Sequence, residues 1–293
     1  MFNIKGYWEA HSVGEATEML AQNPKLTVIA GGTDVLIKMQ HGQFQEAELL
    51  SIRTINSLAE IKKMQDGTII IGALATFNQI FNDPFIQANL PSLGEAAVSM
   101  GGPQIRNIAT IGGNICNGAT SADSASTLFA LNARLQLESK AGARQVPIRE
   151  FYLGPGKVDI KPGEILTEFQ IAAEDYQGFS GHYIKFAARK AMDIATLGVS
   201  VMCRVSGKVF TEVRIGLGVA GPTPLRCEEA EEFAKGQEIS KDTLAQIGKL
   251  AVKSTNARTS WRASKEYREH LVEELVQRAL KTAIVRSGGE ELA

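Results

Sequence analysis

Apolar positions in the first 175 residues switch repeatedly between a period near 3.6 and a period near 2, which predicts short helices alternating with short strands. Ser12-Val13-Gly14-Glu15 reads as a capping box, with Val13, Ala16, Met19 and Leu20 on one helical face and Pro24 just beyond. Leu26–Ala30 is an apolar strand running straight into Gly31-Gly32. Asp66-Gly67 predicts a hairpin turn opening onto a strand at Thr68–Ala73. Two further capping boxes, Thr76-x-x-Gln79 and Ser92-x-x-Glu95, predict helices ended by Pro84 and by Gly101-Gly102. Ser124–Leu131 reads as another helix, and Arg134–Ser139 with Gln145–Ile148 as a hairpin.

From about residue 178 the pattern changes. Gly181–Ala188, Leu197–Val205 and Val209–Val219 read as strands, the last two joined at Ser206-Gly207. Helical periodicity follows at Glu228–Lys235, Lys241–Ser254 and Ser264–Arg286. In the last of these Tyr267, Leu271, Leu275, Ala279 and Ala283 form a stripe, and Gly288-Gly289 stops the helix. Strands first and helices after predict a separate α+β domain. The boundary falls near Glu174–Gly178, dividing the chain into residues 1–176 and 177–293. A length of 293 residues agrees with two domains at about 150 residues each.

Thirty-one basic and 32 acidic residues leave a net charge of −1, with no basic run, so sequence-independent nucleic-acid binding is not expected. Three scattered cysteines, Cys116, Cys203 and Cys227, form no metal-ligand spacing, and an odd count implies a reducing compartment. Cys116 reads as a packing residue. The start, Met1–Tyr7, lacks the basic and apolar stretches of a signal peptide, and no apolar run is long enough to span a membrane. A cytoplasmic protein is expected, with no metal site of its own.

Two glycine turns carry the candidate chemistry. Ala30-Gly31-Gly32-Thr33-Asp34 leaves a strand where adjacent glycines permit positive φ and uncover backbone N–H groups for an anion; a plain strand-to-helix turn is the equal alternative. Ala109-Thr110-Ile111-Gly112-Gly113-Asn114 repeats the device, so the two could clamp a pyrophosphate from opposite sides. Neither fits the G-x-G-x-x-G or the G-x-x-x-x-G-K-[ST] pattern.

The two turns in this order, with Gln104-Ile105-Arg106-Asn107 before the second, resemble the FAD-binding subunits of the molybdenum hydroxylases. Within that family the chain looks most like the medium subunit of bacterial three-subunit xanthine dehydrogenases. Asn117–Asp123, Pro155-Gly156-Lys157 and Trp261–Arg268 extend the likeness over essentially the whole chain. The resemblance implies a vanillyl-alcohol-oxidase-type (PCMH-type) FAD-binding domain, then a smaller α+β domain of the CO dehydrogenase flavoprotein C-terminal type. It places FAD, non-covalently held, between a small parallel-stranded lobe and a larger mixed or antiparallel one.

Residue by residue, Thr27, Val28, Ile29, Ala30, Gly31, Gly32, Thr33 and Asp34 match the first pyrophosphate loop. Ala109, Thr110, Ile111, Gly112, Gly113 and Asn114 match the second. Asp123 matches an acid near the adenosine half of FAD, Ile165 and Leu166 a position whose backbone meets the flavin, and Ile184 and Lys185 the isoalloxazine edge. A helix-start acid and a solvated strand lysine are the bland alternatives for Asp123 and Lys185. Met100 falls near the nicotinamide side. The implied activity is a relay: 2Fe–2S clusters on a small subunit pass electrons from a molybdenum-cofactor large subunit to FAD, which reduces NAD. No side chain of this chain is then itself catalytic, because the flavin carries the hydride chemistry. The partners would complete a heterotrimer or a dimer of trimers. A sister enzyme acting on an aldehyde, nicotinate or CO, a stand-alone flavin reductase, and a flavin-free assembly subunit remain as alternatives.

Overall fold

A computed structural model of the chain describes residues 3–44 and 46–289; Met1 and Phe2, part of the segment read above for a signal peptide, lie outside the described residues. Three short parallel strands, in the spatial order Ile4–Glu9, Ala47–Ser51, Thr27–Ile29, form the first sheet. Parallel neighbours need crossovers, and the helices Val13–Gln22 and Val35–Gln40 supply them. Ser12 Oγ accepts the Glu15 N–H at 3.1 Å, but the Glu15 carboxylate takes the His11 N–H, one residue before the box predicts.

A second sheet of five antiparallel strands runs Ile61–Lys63, Ile69–Gly72, Ile165–Ile171, Arg134–Ser139, Gly142–Pro147. Both predicted hairpins are present, and Gly67 turns the first with φ +88°. Thr76 and Gln79 complete a true capping box on the helix Phe77–Asn82. Pro84 does more than stop that helix: it opens the next, Pro84–Asn89, capped by Asp83.

The Ser92-x-x-Glu95 box is not formed. The helix Pro91–Ser99 starts two residues earlier than that box predicts, on Pro91, whose ring presets the first helical φ. Ser92 is therefore inside it and fully buried, with Oγ 3.6 Å from Met202 Sδ. Glu95 instead reaches the second domain, where its carboxylate meets His182 Nδ1 at 2.9 Å, the Tyr183 N–H at 2.8 Å and Arg286 at 2.5 Å.

That domain is a four-stranded antiparallel sheet, Ser180–Phe186, Leu197–Ser206, Val209–Gly218, Leu225–Arg226. The helices Glu228–Ala234, Lys241–Lys253 and Lys265–Arg286 cover one face. Leu197, Val199, Val201 and Cys203 alternate towards them and share a core with Leu244, Ile247, Leu271 and Leu275. Tyr267 leaves the predicted stripe, being 45% exposed, while Arg268 beside it is buried. The other face of the sheet packs on the helix Asp123–Ala130 of the first domain. All eight residues of that helix are buried, Ser124, Ser126 and Thr127 included, because it has a core on either side.

Candidate functional site

A cleft of about 480 Å³ lies between the parallel sheet and the antiparallel one. Its first wall is the exit of the strand Thr27–Ile29. Gly32 takes φ +74°, a conformation that β-carbons disfavour. A Cβ on Gly31 would stand 1.8 Å from the Ile108 carbonyl oxygen, so only glycine lets this turn touch the segment leading to the second one. The amides of Gly31, Gly32, Thr33 and Asp34 donate to no protein acceptor among the described residues. Consecutive free N–H groups at such a turn form a concavity suited to an anion.

The second turn is built differently. Thr110 caps the helix Ile111–Cys116, its Oγ1 accepting the Gly113 N–H at 3.1 Å. The Ile111 and Gly112 amides bond to the Ala75 and Ala73 carbonyls, and that of Asn114 to Thr110. Its N–H groups are thus already satisfied, and the expected second set of uncovered amides is absent from Ile111–Asn114. What this wall offers is space. Gly113 is exposed, and a Cβ there would meet only Thr110 Oγ1, at 3.0 Å. A Cβ on Gly112 would instead strike the carbonyl and Cβ of Ala73.

Ile165 and Leu166 close a third side, with the preceding residues 160–164 at the lip. Arg144 braces this segment, donating to Glu164 at 2.6 Å and to Asp159 at 2.8 Å. Hydrogen bonding from Arg144 holds the Glu164 carboxyl below its ordinary range despite partial burial.

Thr27, Val28, Ala30, Gly31, Gly32, Thr33, Asp34, Ala109, Thr110, Gly112, Gly113, Asn114, Ile165, Leu166 and Met100 all line this cleft. Ile29 and Ile111 do not; strand alternation turns Ile29 towards Met39 and Leu49, and Ile111 is fully buried. Cys116, read as a packing residue, does pack against the core but also forms cleft wall, because it sits one helical turn beyond Gly112. Apolar surroundings push its thiol up to about 12. Lys38 and Phe44 also line the cleft. Helical spacing could have found Cys116, whereas nothing local marks Lys38 or Phe44.

Asp123 and Lys185 lie elsewhere, and together. Lys185 Nζ is 2.8 Å from Asp123 Oδ2 and 3.1 Å from the Ser99 carbonyl oxygen, and Tyr183 donates its hydroxyl to Asp123 at 3.2 Å. The side chains are 10% and 8% exposed, so Lys185 is no solvated strand lysine. Burial pushes the Asp123 carboxyl above its ordinary value against the pull of Lys185 and Tyr183. Groups in direct contact cannot mark opposite ends of an extended dinucleotide, so Asp123 and Lys185 cannot divide between the adenosine and isoalloxazine ends. Ile184 faces the C-terminal core instead, on the opposite side of the strand. Lys185 opens on a second cavity of about 350 Å³ with Glu95, Ser99 and Tyr183. Two links connect the pair to the cleft: Ser99 adjoins Met100, and Ser124 Oγ bonds Asn114 at 2.8 Å. Among the described residues no three His, Cys, Asp or Glu side chains could hold a metal ion, and no helix is long and apolar enough to cross a membrane.

Known proteins give this geometry a context. Residues 1–174 match the pattern of the FAD binding domain in molybdopterin dehydrogenase, and residues 182–283 that of the CO dehydrogenase flavoprotein C-terminal domain. The chain is 41% identical over 290 residues to the xanthine dehydrogenase FAD-binding subunit of Escherichia coli O157:H7, covering 99% of each. It is 32% identical over 281 residues to the carbon monoxide dehydrogenase medium chain of Hydrogenophaga pseudoflava, covering 96% of this chain and 97% of that one. A solved carbon monoxide dehydrogenase from the same organism, lacking the Mo-pyranopterin moiety of its cofactor, contains a chain that matches with a TM-score of 0.93 at 31% identity, over 98% of this chain and 99% of that one. With both domains matched in order along its length, the chain belongs to the FAD-binding medium subunits of the molybdenum hydroxylases.

Proposed function

We propose that this chain is the flavin-carrying subunit of a xanthine dehydrogenase-type complex. It holds FAD non-covalently, takes electrons from 2Fe–2S clusters on a small partner, and reduces NAD while a molybdenum-cofactor large partner oxidises hypoxanthine or xanthine. The observation that carries the reading is the row of Gly31–Asp34 amides with no protein acceptor among the described residues, lining the same cleft as the open side of Gly113. That cradle suits a pyrophosphate, with hydrogen bonds from one wall and room for close approach on the other. Ile165 and Leu166 would border the ring system. The Asp123–Lys185 pair would act as one unit behind it, its ammonium favouring negative charge on the reduced ring. Bound there, FAD supplies the exchange between one-electron clusters and a two-electron nicotinamide. Purine is favoured over CO because full-length identity is higher to the xanthine dehydrogenase subunit than to the carbon monoxide dehydrogenase chain. The same reading makes residues 1–176 the FAD domain, residues 177–293 its C-terminal companion, and the cytoplasm the site of a heterotrimer.

The purified chain tests this. Acid precipitation should leave yellow flavin in the supernatant, since neither glycine turn contains a His or Cys for covalent attachment. The FAD-loaded chain should oxidise NADH with an artificial acceptor and turn over no xanthine until both partner subunits are added. Colour retained in the pellet, or xanthine turnover by the chain alone, would overturn it.

A further inference from the structure

Two loops of the second domain meet at the surface next to the Lys185 cavity. One is the segment 187–195 between the strands Ser180–Phe186 and Leu197–Ser206; the other, 254–264, precedes the helix Lys265–Arg286. Arg268 is 3% exposed and ties the second loop to the end of the first, donating to the carbonyl of Thr196, just after residue 195, and, at 2.9 Å, to Ser260 Oγ. Met192 is fixed in the left-handed region at φ +54°, its N–H on the Gly101 carbonyl and its own carbonyl on Arg189. A methionine in that conformation persists only where its surroundings over-determine it.

Loops held this firmly could bury their apolar groups, yet Trp261 is 84% exposed, Met192 56% and Ile194 48%. The Arg262 guanidinium sits over the Trp261 ring, 4.1 Å from its centre. Arg189, Lys190 and Arg258 are exposed on the same two loops. Asp193, the carboxylate among them, pairs with the Arg189 guanidinium at 3.9 Å and accepts the backbone N–H groups of Arg189 and Ile194. Arg262 Nε and Arg268 Nε have no hydrogen-bond partner. Four cations, Arg189, Lys190, Arg258 and Arg262, against one carboxylate leave the two loops net positive.

We propose that this patch, centred on Trp261 and Arg262, is the docking surface for the electron-donating partner subunit, whose matching face is acidic around an apolar centre. Trp and Arg are the residue types that dominate interface energetics when partly preorganised and then desolvated. The charge selects an acidic partner and speeds its encounter. It also disfavours a second copy of this chain, because a two-fold contact would set the same cations against each other. The patch borders the cavity into which Lys185 opens, so a protein seated there is close to the groups assigned to the flavin. The partner's identity rests on the function proposed above.

Titration of the FAD-loaded chain with the purified 2Fe–2S subunit tests the assignment, using native protein, Trp261→Ala, Arg262→Glu and the exposed-site change Lys190→Glu. Trp261→Ala and Arg262→Glu should each weaken binding by roughly tenfold or more. Lys190→Glu should weaken it less, and native binding should fall as salt rises. FAD content and NADH oxidation with an artificial acceptor should stay at the native level in all three. Native binding that all three variants share overturns the docking surface alone. Absence of any native complex overturns the proposed function, and the docking surface with it.

Discussion

Gly112 and Gly113 are neighbours in one turn, yet the structure gives them opposite jobs. A Cβ at 112 would sit 2.6 Å from the Ala73 carbonyl oxygen and 2.7 Å from Ala73 Cβ. Ala73 is 3% exposed, and its carbonyl already accepts the Gly112 N–H at 2.8 Å, so it has nowhere to retreat. Overpacking of this kind costs about 1–3 kcal/mol, partly offset by up to ~1 kcal/mol from replacing glycine in a helix. Gly112→Ala should therefore lose ~1–2 kcal/mol, a fall in Tm of about 2–3 °C for a chain of 293 residues. At 113 the Cβ meets only Thr110 Oγ1, at 3.0 Å, and the capping hydroxyl has to give by only a few tenths of an ångström while keeping its bond to the residue 113 N–H. Gly113→Ala should leave the flavin-free protein within about 0.5 kcal/mol of native, on the favourable side from helix propensity. Gly113→Val, which fills the cleft side, should fold and yet retain little FAD. Scanning calorimetry on flavin-stripped protein, paired with visible absorption of the protein as purified, reads both effects. Equal thermal losses at the two positions, or full flavin content in Gly113→Val, would refute the division of roles.

Asp123→Asn should leave the Lys185 ammonium buried without its counter-charge and destabilise by about 3–5 kcal/mol, whereas Asp123→Asn with Lys185→Met should recover most of that; denaturant unfolding of the two variants checks it. Lys185→Met should also lower the flavin midpoint potential. At Glu95, burial alone would raise the carboxyl, but hydrogen bonds from His182, Arg286 and the Tyr183 N–H outweigh it and hold it below the ordinary 4.5. A lowered carboxyl contributes stability that is complete above the ordinary value and is lost as pH falls through the lowered folded one. Acid unfolding below pH 4.5 should therefore be shallower in Glu95→Gln than in native protein, and identical slopes would show that this link between the domains adds nothing.

Much of the element order is legible in the chain because its signals are local. The Asp66-Gly67 turn, the Thr76–Gln79 box, the two long strands about Ser206-Gly207 and the terminal helix each depend on residues within a few positions of one another. The two glycine turns are visible for the same reason, and so is the family resemblance they carry. Ser92-x-x-Glu95 shows the limit of such signals: its spacing is that of a cap, but Pro91 opens the helix first and frees Glu95 to bind across the domain boundary.

The chain by itself determined where backbone would bend, where glycine would be needed and which segments would alternate or coil, since dihedral preference and apolar period act over one or two turns. Only the tertiary structure decided that the Gly31–Asp34 amides stay free while those of Ile111–Asn114 are consumed by Ala73, Ala75 and Thr110. It alone joined Asp123 to Lys185, 62 residues apart, on a helix buried between two cores. Hydrogen-bond satisfaction and charge pairing depend on which surfaces finally face each other. That is set by the packing of the whole sheet, not by the spelling of any one segment.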